Sequence, residues 1–144
     1  MPFDGRQRTA LLDRCWLIYQ SVARAFPVPE SFHNEFPIIA ESAIVSESLH
    51  LSVVIGADAT LSLREEYAVE RQRLTVIRYS YNVIDSTGDN LLRADNLPYH
   101  QTDYRNKPLT HPPNHLHDQR GRVFSFNGDV HSFIANAKTL LSSR

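Results

Sequence analysis

Two alternating runs flank the segment Ser86-Thr87-Gly88-Asp89, and this arrangement constrains the fold more than any other stretch of the chain. Leu74 to Asp85 and Asn90 to Asp95 each alternate apolar and polar side chains, which is the period of a half-buried strand. The four residues between them carry turn chemistry. An antiparallel hairpin follows, and its register can be written down. If Ser86 lies opposite Asp89, then Val83 faces Leu92, Asn82 faces Arg93, Tyr81 faces Ala94 and Ser80 faces Asp95. Directly opposed residues share a face. One face therefore carries Tyr79, Tyr81, Val83, Leu92 and Ala94, fit to pack on helices, and the other carries Arg78, Ser80, Asn82, Arg93 and Asp95. A one-residue slip would mix the two sets.

The rest of the chain supplies what such a hairpin needs. Leu11, Leu12, Cys15, Trp16, Ile18, Tyr19, Val22, Ala23 and Phe26 recur at helical spacing, after an Asp4/Gln7 pair with capping-box spacing and before the stops Pro27 and Pro29. Residues 30 to 43 include Pro37 and read as a loop. Leu49, Leu51, Val53 and Ile55 alternate with His50, Ser52 and Val54, and GADA turns the chain toward Leu61 and Leu63, which makes a second hairpin. Glu65, Glu66, Glu70, Arg71 and Arg73 read as a polar connection or a strand end. Arg122 to Phe126 reads as a short strand. Asp129 caps a closing helix through Val130, Phe133, Ile134, Ala137, Leu140 and Leu141. The expected fold is a single α+β domain over residues 1–144, an antiparallel sheet of about five strands with an N-terminal and a C-terminal helix on one face. Trp16, Phe26, Tyr79, Tyr81, Phe124 and Phe133 are expected in its core.

Composition limits the function classes. No apolar run approaches the roughly 20 residues of a membrane span, and the N-terminus lacks the apolar core of a signal peptide, so a cytoplasmic protein without membrane contact is expected. Cys15 alone offers no disulfide and no cysteine-based zinc site, and reads as a buried thiol. No phosphate-cradling glycine loop, serine nucleophile elbow or dinucleotide fingerprint occurs, so no cofactor is expected. Residues 1–70 carry five Lys/Arg against ten Asp/Glu, whereas residues 71–144 carry ten against six. That asymmetry permits an acidic partner such as RNA on the C-terminal half.

Arg93 to His117 concentrates chemistry. Four of the seven histidines, His100, His111, His115 and His117, fall here beside Arg93, Asp95 and Asn96. The long loop from Asn96 to Pro113 is of a length more often functional than incidental. Three readings fit these residue types. The histidines, with Asp95 or Asp103, could ligate a transition metal, although no HExxH or CxxC accompanies them. They could instead transfer protons in phosphodiester cleavage while Arg78 and Arg93 bind phosphate. Or Arg93 and Asp95 form an exposed ion pair, Asn96 shapes a turn before Pro98, and the histidines are ordinary loop residues. Tyr99 and Tyr104, beside Arg105 and Lys107, could stack on an exposed base.

RYSYNVIDSTGDNLLRADNLPYH followed by PPNHLH resembles the TumE family, the toxins of TumE/TumA toxin–antitoxin modules, over about residues 45 to 141. Its motifs have the form RYxY, RxDNxPHH and, later, PHHKH. Position by position the resemblance marks Arg78, Tyr79, Tyr81, Arg93, Asp95, Asn96, Pro98, His100, His115 and His117. Tyr99 and Asn114 stand where the family often has histidine, and Leu116 where it has a lysine suited to a phosphate contact. The resemblance implies a toxin neutralised by a helix-turn-helix antitoxin and acting on RNA. As a metal-independent ribonuclease, such a toxin would use His100, His115, His117 and Asp95 catalytically and Arg78, Arg93, Asn96 and Tyr99 to bind substrate. A non-catalytic binding module and a metal-dependent hydrolase are the competing expectations, and a homodimer is compatible with all three.

Overall fold

The computed structural model describes residues 5–56, 58–71 and 73–144, and of residues 5–7 the backbone alone. The expected Asp4/Gln7 cap therefore lies outside the described residues, as does Ala57 of the GADA turn. Two helices, α1 (Gly5–Ala25) and α2 (Glu30–Ser46), precede six strands: β1 (Ser48–Val54), β2 (Ala59–Glu70), β3 (Arg73–Asp85), β4 (Asn90–Asp95), β5 (His115–Asp118) and β6 (Val123–Ser125). Helix α3 (Val130–Ser142) closes the chain. Every neighbouring pair of strands is antiparallel, and spatial order follows sequence order from β1 to β6. The architecture is the expected α+β, with a sixth strand supplied by β5, which is too short to show a period in the sequence.

Helix α1 buries Leu11, Cys15, Ile18 and Val22 at spacings of three and four, and α3 buries Val130, Phe133, Ile134 and Ala137. Both helices touch β3 and each other, so they share one face of the sheet. Asp129 caps α3 by accepting from the His131 N–H at 3.0 Å. Burial pushes the Cys15 thiol up to about 11, as expected for an inert core cysteine.

Three expectations are corrected. Residues 30–43 are not a loop but most of α2, which buries Phe32, Ala40, Ala43 and Ile44 despite Pro37 in its interior. Proline removes one helical hydrogen bond, and burial of this face against α1 and β1 offsets that loss. Of the two readings of Glu65 to Glu70 the strand end holds and the polar connection does not, because β2 runs to Glu70 and Glu65 lies in the core. Trp16 is 48% exposed, stacking on Tyr19 at 5.4 Å, and Phe124 sits half-buried against Tyr104 rather than in the main core.

Glu65 is buried with all of its acceptor capacity used. One carboxylate oxygen accepts from Arg14 Nε at 3.0 Å and from the Tyr67 hydroxyl at 2.7 Å, and the other accepts from a terminal nitrogen of Arg14 at 2.6 Å and from the Tyr81 hydroxyl. A carboxylate has about four lone-pair sites, and here each is occupied.

The β3–β4 register is as derived for Ser80↔Asp95, Tyr81↔Ala94, Asn82↔Arg93 and Val83↔Leu92. Toward the turn it departs. Ile84 pairs with Asn90, so Leu91 is an extra, buried residue, and the Asp85 N–H donates to the Asp89 carbonyl at 3.0 Å. Ser86 is thus not opposite Asp89. The turn is three residues, with Gly88 supplying φ +90°.

Candidate functional site

Alternation along the strands leaves a polar row running across the face opposite α1 and α3. His50 pairs with Arg64, Arg64 with Ser80, Ser80 with Asp95, Asp95 with His115 and His115 with Ser125. A parallel row runs through Ser62, Asn82, Arg93 and His117. Directly paired residues share a face, so residues from all six strands converge on one surface.

The loop from Asn96 to Asn114 folds back over β5. Asp103 organises its tip by accepting from the N–H groups of Arg105 and Lys107, at 2.8 and 3.0 Å. The Tyr104 N–H donates to the Val123 carbonyl at 2.8 Å, and the Thr110 N–H to the Ser125 hydroxyl at 3.1 Å, which ties the loop to β6. Asn114 anchors its end: the amide donates to the His111 carbonyl and accepts from the Tyr79 hydroxyl, both at 2.8 Å. Held this way, the loop brings His100 onto the strand histidines. Ring centroids stand 4.8 Å apart for His100–His115, 5.1 Å for His100–His117 and 4.8 Å for His115–His117.

The two strand histidines occupy unlike surroundings. His115 is buried, with Nδ1 2.9 Å from the Pro113 carbonyl and Nε2 3.3 Å from Asp95 Oδ1. A carbonyl only accepts, so Nδ1 carries the proton and the Nε2 lone pair of the neutral ring points at a carboxylate. That geometry is complementary only when a cation, a proton included, lies between Nε2 and Asp95. His117 faces Arg93 instead. Burial, then the Arg93 guanidinium and the imidazoles of His115 and His100, hold its pKa below the ordinary histidine value, against the opposing pull of the Gly121 backbone carbonyl. Its Nε2 is buried without a hydrogen-bond partner among the described residues, as are Arg93 Nε and Asn82 Oδ1 on the same row. Unpartnered buried polar atoms are costly, and three on one row single out this part of the sheet face as the candidate site.

Of the residues singled out in the sequence, His100, His115, His117 and Asp95 are brought together, with Arg93 Nε 3.7 Å from Asp95 Oδ2. Arg78 is exposed one row away, opposite Glu66. The Asn96 side chain is occupied by backbone: it accepts from the Tyr79 N–H at 3.1 Å and donates to the Ile77 carbonyl at 3.2 Å, extending the β3 edge. Tyr99 is 77% exposed. His111 and Asp103 stay outside the cluster, and the Tyr104 ring is flanked by the guanidinium groups of Arg105 and Arg122, at 5.1 and 5.3 Å. His50 and Arg64 were not singled out. They line a groove of about 390 Å³ together with Glu66, Arg78, Ser80 and Asp95. A second groove of about 420 Å³ includes Arg93 and His117. The signal for His50 and Arg64 was the alternation of their own strands, which turns them to the Asp95 side once β1, β2 and β3 are paired.

Compared with known proteins, the chain matches no family model, no curated protein and no solved structure. Among the described residues no helix is long and apolar enough to cross a membrane. The functional reading therefore rests on the site.

Proposed function

We propose that the polar sheet face is the active site of a toxin-like, metal-independent ribonuclease. One observation carries this reading: two histidines, 4.8 Å apart, face opposite charges, His115 against Asp95 and His117 against Arg93. RNA cleavage needs one group to take a proton and another to give one. His117 Nε2, unpartnered and neutral, takes the proton of a ribose 2′-hydroxyl. The 2′-oxygen attacks the adjacent phosphorus, and the bond to the 5′-oxygen breaks as His115 Nε2, proton-bearing against Asp95, protonates that leaving oxygen. The products are a 2′,3′-cyclic phosphate and a 5′-hydroxyl. His100 borders both rings, and Arg93 lies where negative charge grows on the phosphoryl oxygens. Arg78, with Arg64 in the adjoining groove, suits phosphates on either side of the scissile one.

The family resemblance adds a helix-turn-helix antitoxin as the partner that neutralises the chain, and the exposed arginines give an acidic surface of that partner somewhere to dock. The test is cleavage of a defined RNA in the presence of a chelator. Wild type should yield cyclic phosphate ends, and His117→Ala should lose about 10²–10⁴-fold in rate with its circular dichroism unchanged. Full activity in His117→Ala would refute the proton-transfer assignment. RNA binding without cleavage would favour the competing reading of a non-catalytic module, for which the exposed Arg64 and Arg78 of the first groove are the supporting observation.

A further inference from the structure

We infer that His100, His115 and His117 form a site for one divalent transition-metal ion of the zinc class, and that its occupancy silences the proton chemistry of the same rings. The silencing rests on the ribonuclease reading; the binding does not. Three imidazoles sharing a tetrahedral ion at about 2.0–2.1 Å per nitrogen hold their ring centroids about 5 Å apart. The observed separations are 4.8, 5.1 and 4.8 Å, and one ligating nitrogen from each ring lies within 4.8 Å of the others. The rings already stand at the required spacing, and closing the nitrogens to the roughly 3.3 Å of a tetrahedral site takes rotations of the rings about their side-chain bonds.

Tautomers point the same way. Ligating histidines commonly donate the other ring N–H to a backbone carbonyl or a carboxylate, which fixes the lone pair toward the metal. His115 does this through Nδ1 to Pro113, leaving Nε2 as the ligating atom, and the His117 Nε2 is buried and unpartnered among the described residues. Asp95, with Oδ1 3.3 Å from His115 Nε2, is not one of the three converging ligands and supplies negative charge beside them. Arg93 opposes the ion electrostatically. Three imidazoles select zinc, nickel, cobalt or copper over magnesium or calcium, which favour oxygen-rich sets. An ion held by these nitrogens occupies the lone pairs that would otherwise take and give protons.

The test uses full-length protein stripped with a chelator, titrated with Zn²⁺ by calorimetry and with Co²⁺ by visible absorption. One ion per chain is expected, with a tetrahedral cobalt spectrum and no competition from excess Mg²⁺. His100→Ala, a half-buried loop change that leaves the core intact, should weaken binding at least about tenfold. Absence of binding, unchanged affinity in His100→Ala or displacement by Mg²⁺ would each overturn the site and leave the ribonuclease reading standing. RNA cleavage should fall as zinc is added and return with chelator. Cleavage that instead appears only with the metal would keep the site, refute the silencing and replace the metal-independent reading with a metal-dependent hydrolase.

Discussion

Replacing Arg14 by methionine should destabilise the protein by about 3 kcal/mol, although Arg14 lies on α1, on the other side of the sheet from the histidine cluster. The magnitude follows from Glu65, whose side chain is fully buried while that of Arg14 keeps 22% of its surface exposed. Removing one partner of a buried pair costs about 3–5 kcal/mol, because the remaining charge is left uncompensated. Water reaching Glu65 through the space vacated by Arg14 places this case at the lower end. The carboxylate keeps the Tyr67 and Tyr81 hydroxyls, one on each oxygen, and burial followed by the Glu65 charge pushes both phenols well above the ordinary tyrosine range, so they remain donors. Glu65→Gln keeps hydrogen-bonding partners for the tyrosines and leaves a guanidinium that can reach water, and should cost about 1–2 kcal/mol.

The assay is urea unfolding of wild type, both single variants and the double variant. The coupling should be about 1–3 kcal/mol, with the double variant more stable than the sum of the two single losses predicts. Slopes should be unchanged if the native fold is retained. A loss below about 1 kcal/mol in Arg14→Met, or a coupling near zero, would refute the buried-pair argument. The network also bears on function, because Glu65 and Tyr81 alternate with Arg64 and Ser80 on the same two strands. Loosening the buried row should blur the exposed one.

Two smaller predictions follow from the same strands and from the loop anchor. Burial, and then the Arg64 guanidinium, hold His50 below its ordinary value of 6.5, so its NMR titration should lie below that value and move part of the way up in Arg64→Gln; no movement would exclude the pairing. Because the folded pKa is the lower one, His50 disfavours the folded state only as pH falls below about 6.5, and the effect vanishes above it. Gly128 has φ +81°, and an added Cβ would stand 2.7 Å from the Asn114 side-chain oxygen that accepts from Tyr79. Gly128→Ala should cost about 2–3 kcal/mol by denaturation, from left-handed strain and the displaced hydrogen bond, and a neutral result would mean that Asn114 does not pin the loop.

Local pattern was enough for α1, α3 and the central hairpin because each declares itself through its own periodicity. It was not enough for α2 or Glu65. Pro37 is a helix breaker by every local criterion, and only the burial of Phe32, Ala40, Ala43 and Ile44 beneath α1 and against β1 offsets it. A glutamate among other charges reads as solvent-facing. Its burial depends on Arg14, 51 positions earlier, and on Tyr81, 16 positions later, which no local window joins. The hairpin turn failed by one residue for a related reason: Leu91 as well as Leu92 can be buried, so the strands accept a bulge in place of strict alternation.

The site shows how much depends on one short strand. In a loop, His115 and His117 are two equivalent imidazoles; in β5 they share a face and meet β4 in a fixed register, His115 against Asp95 and His117 against Arg93. A one-residue slip of β5 would turn both rings toward the helices. A two-residue slip would keep them on the polar face but set His115 opposite Arg93, giving it the environment His117 now has. Proton donor and proton acceptor, on the proposed reading, are therefore not properties of the HLH tripeptide. They are set by the loop anchors at Asn96 and Asn114, which fix where β5 begins after a long excursion, and by β6, which holds its other edge through His115↔Ser125 and His117↔Val123.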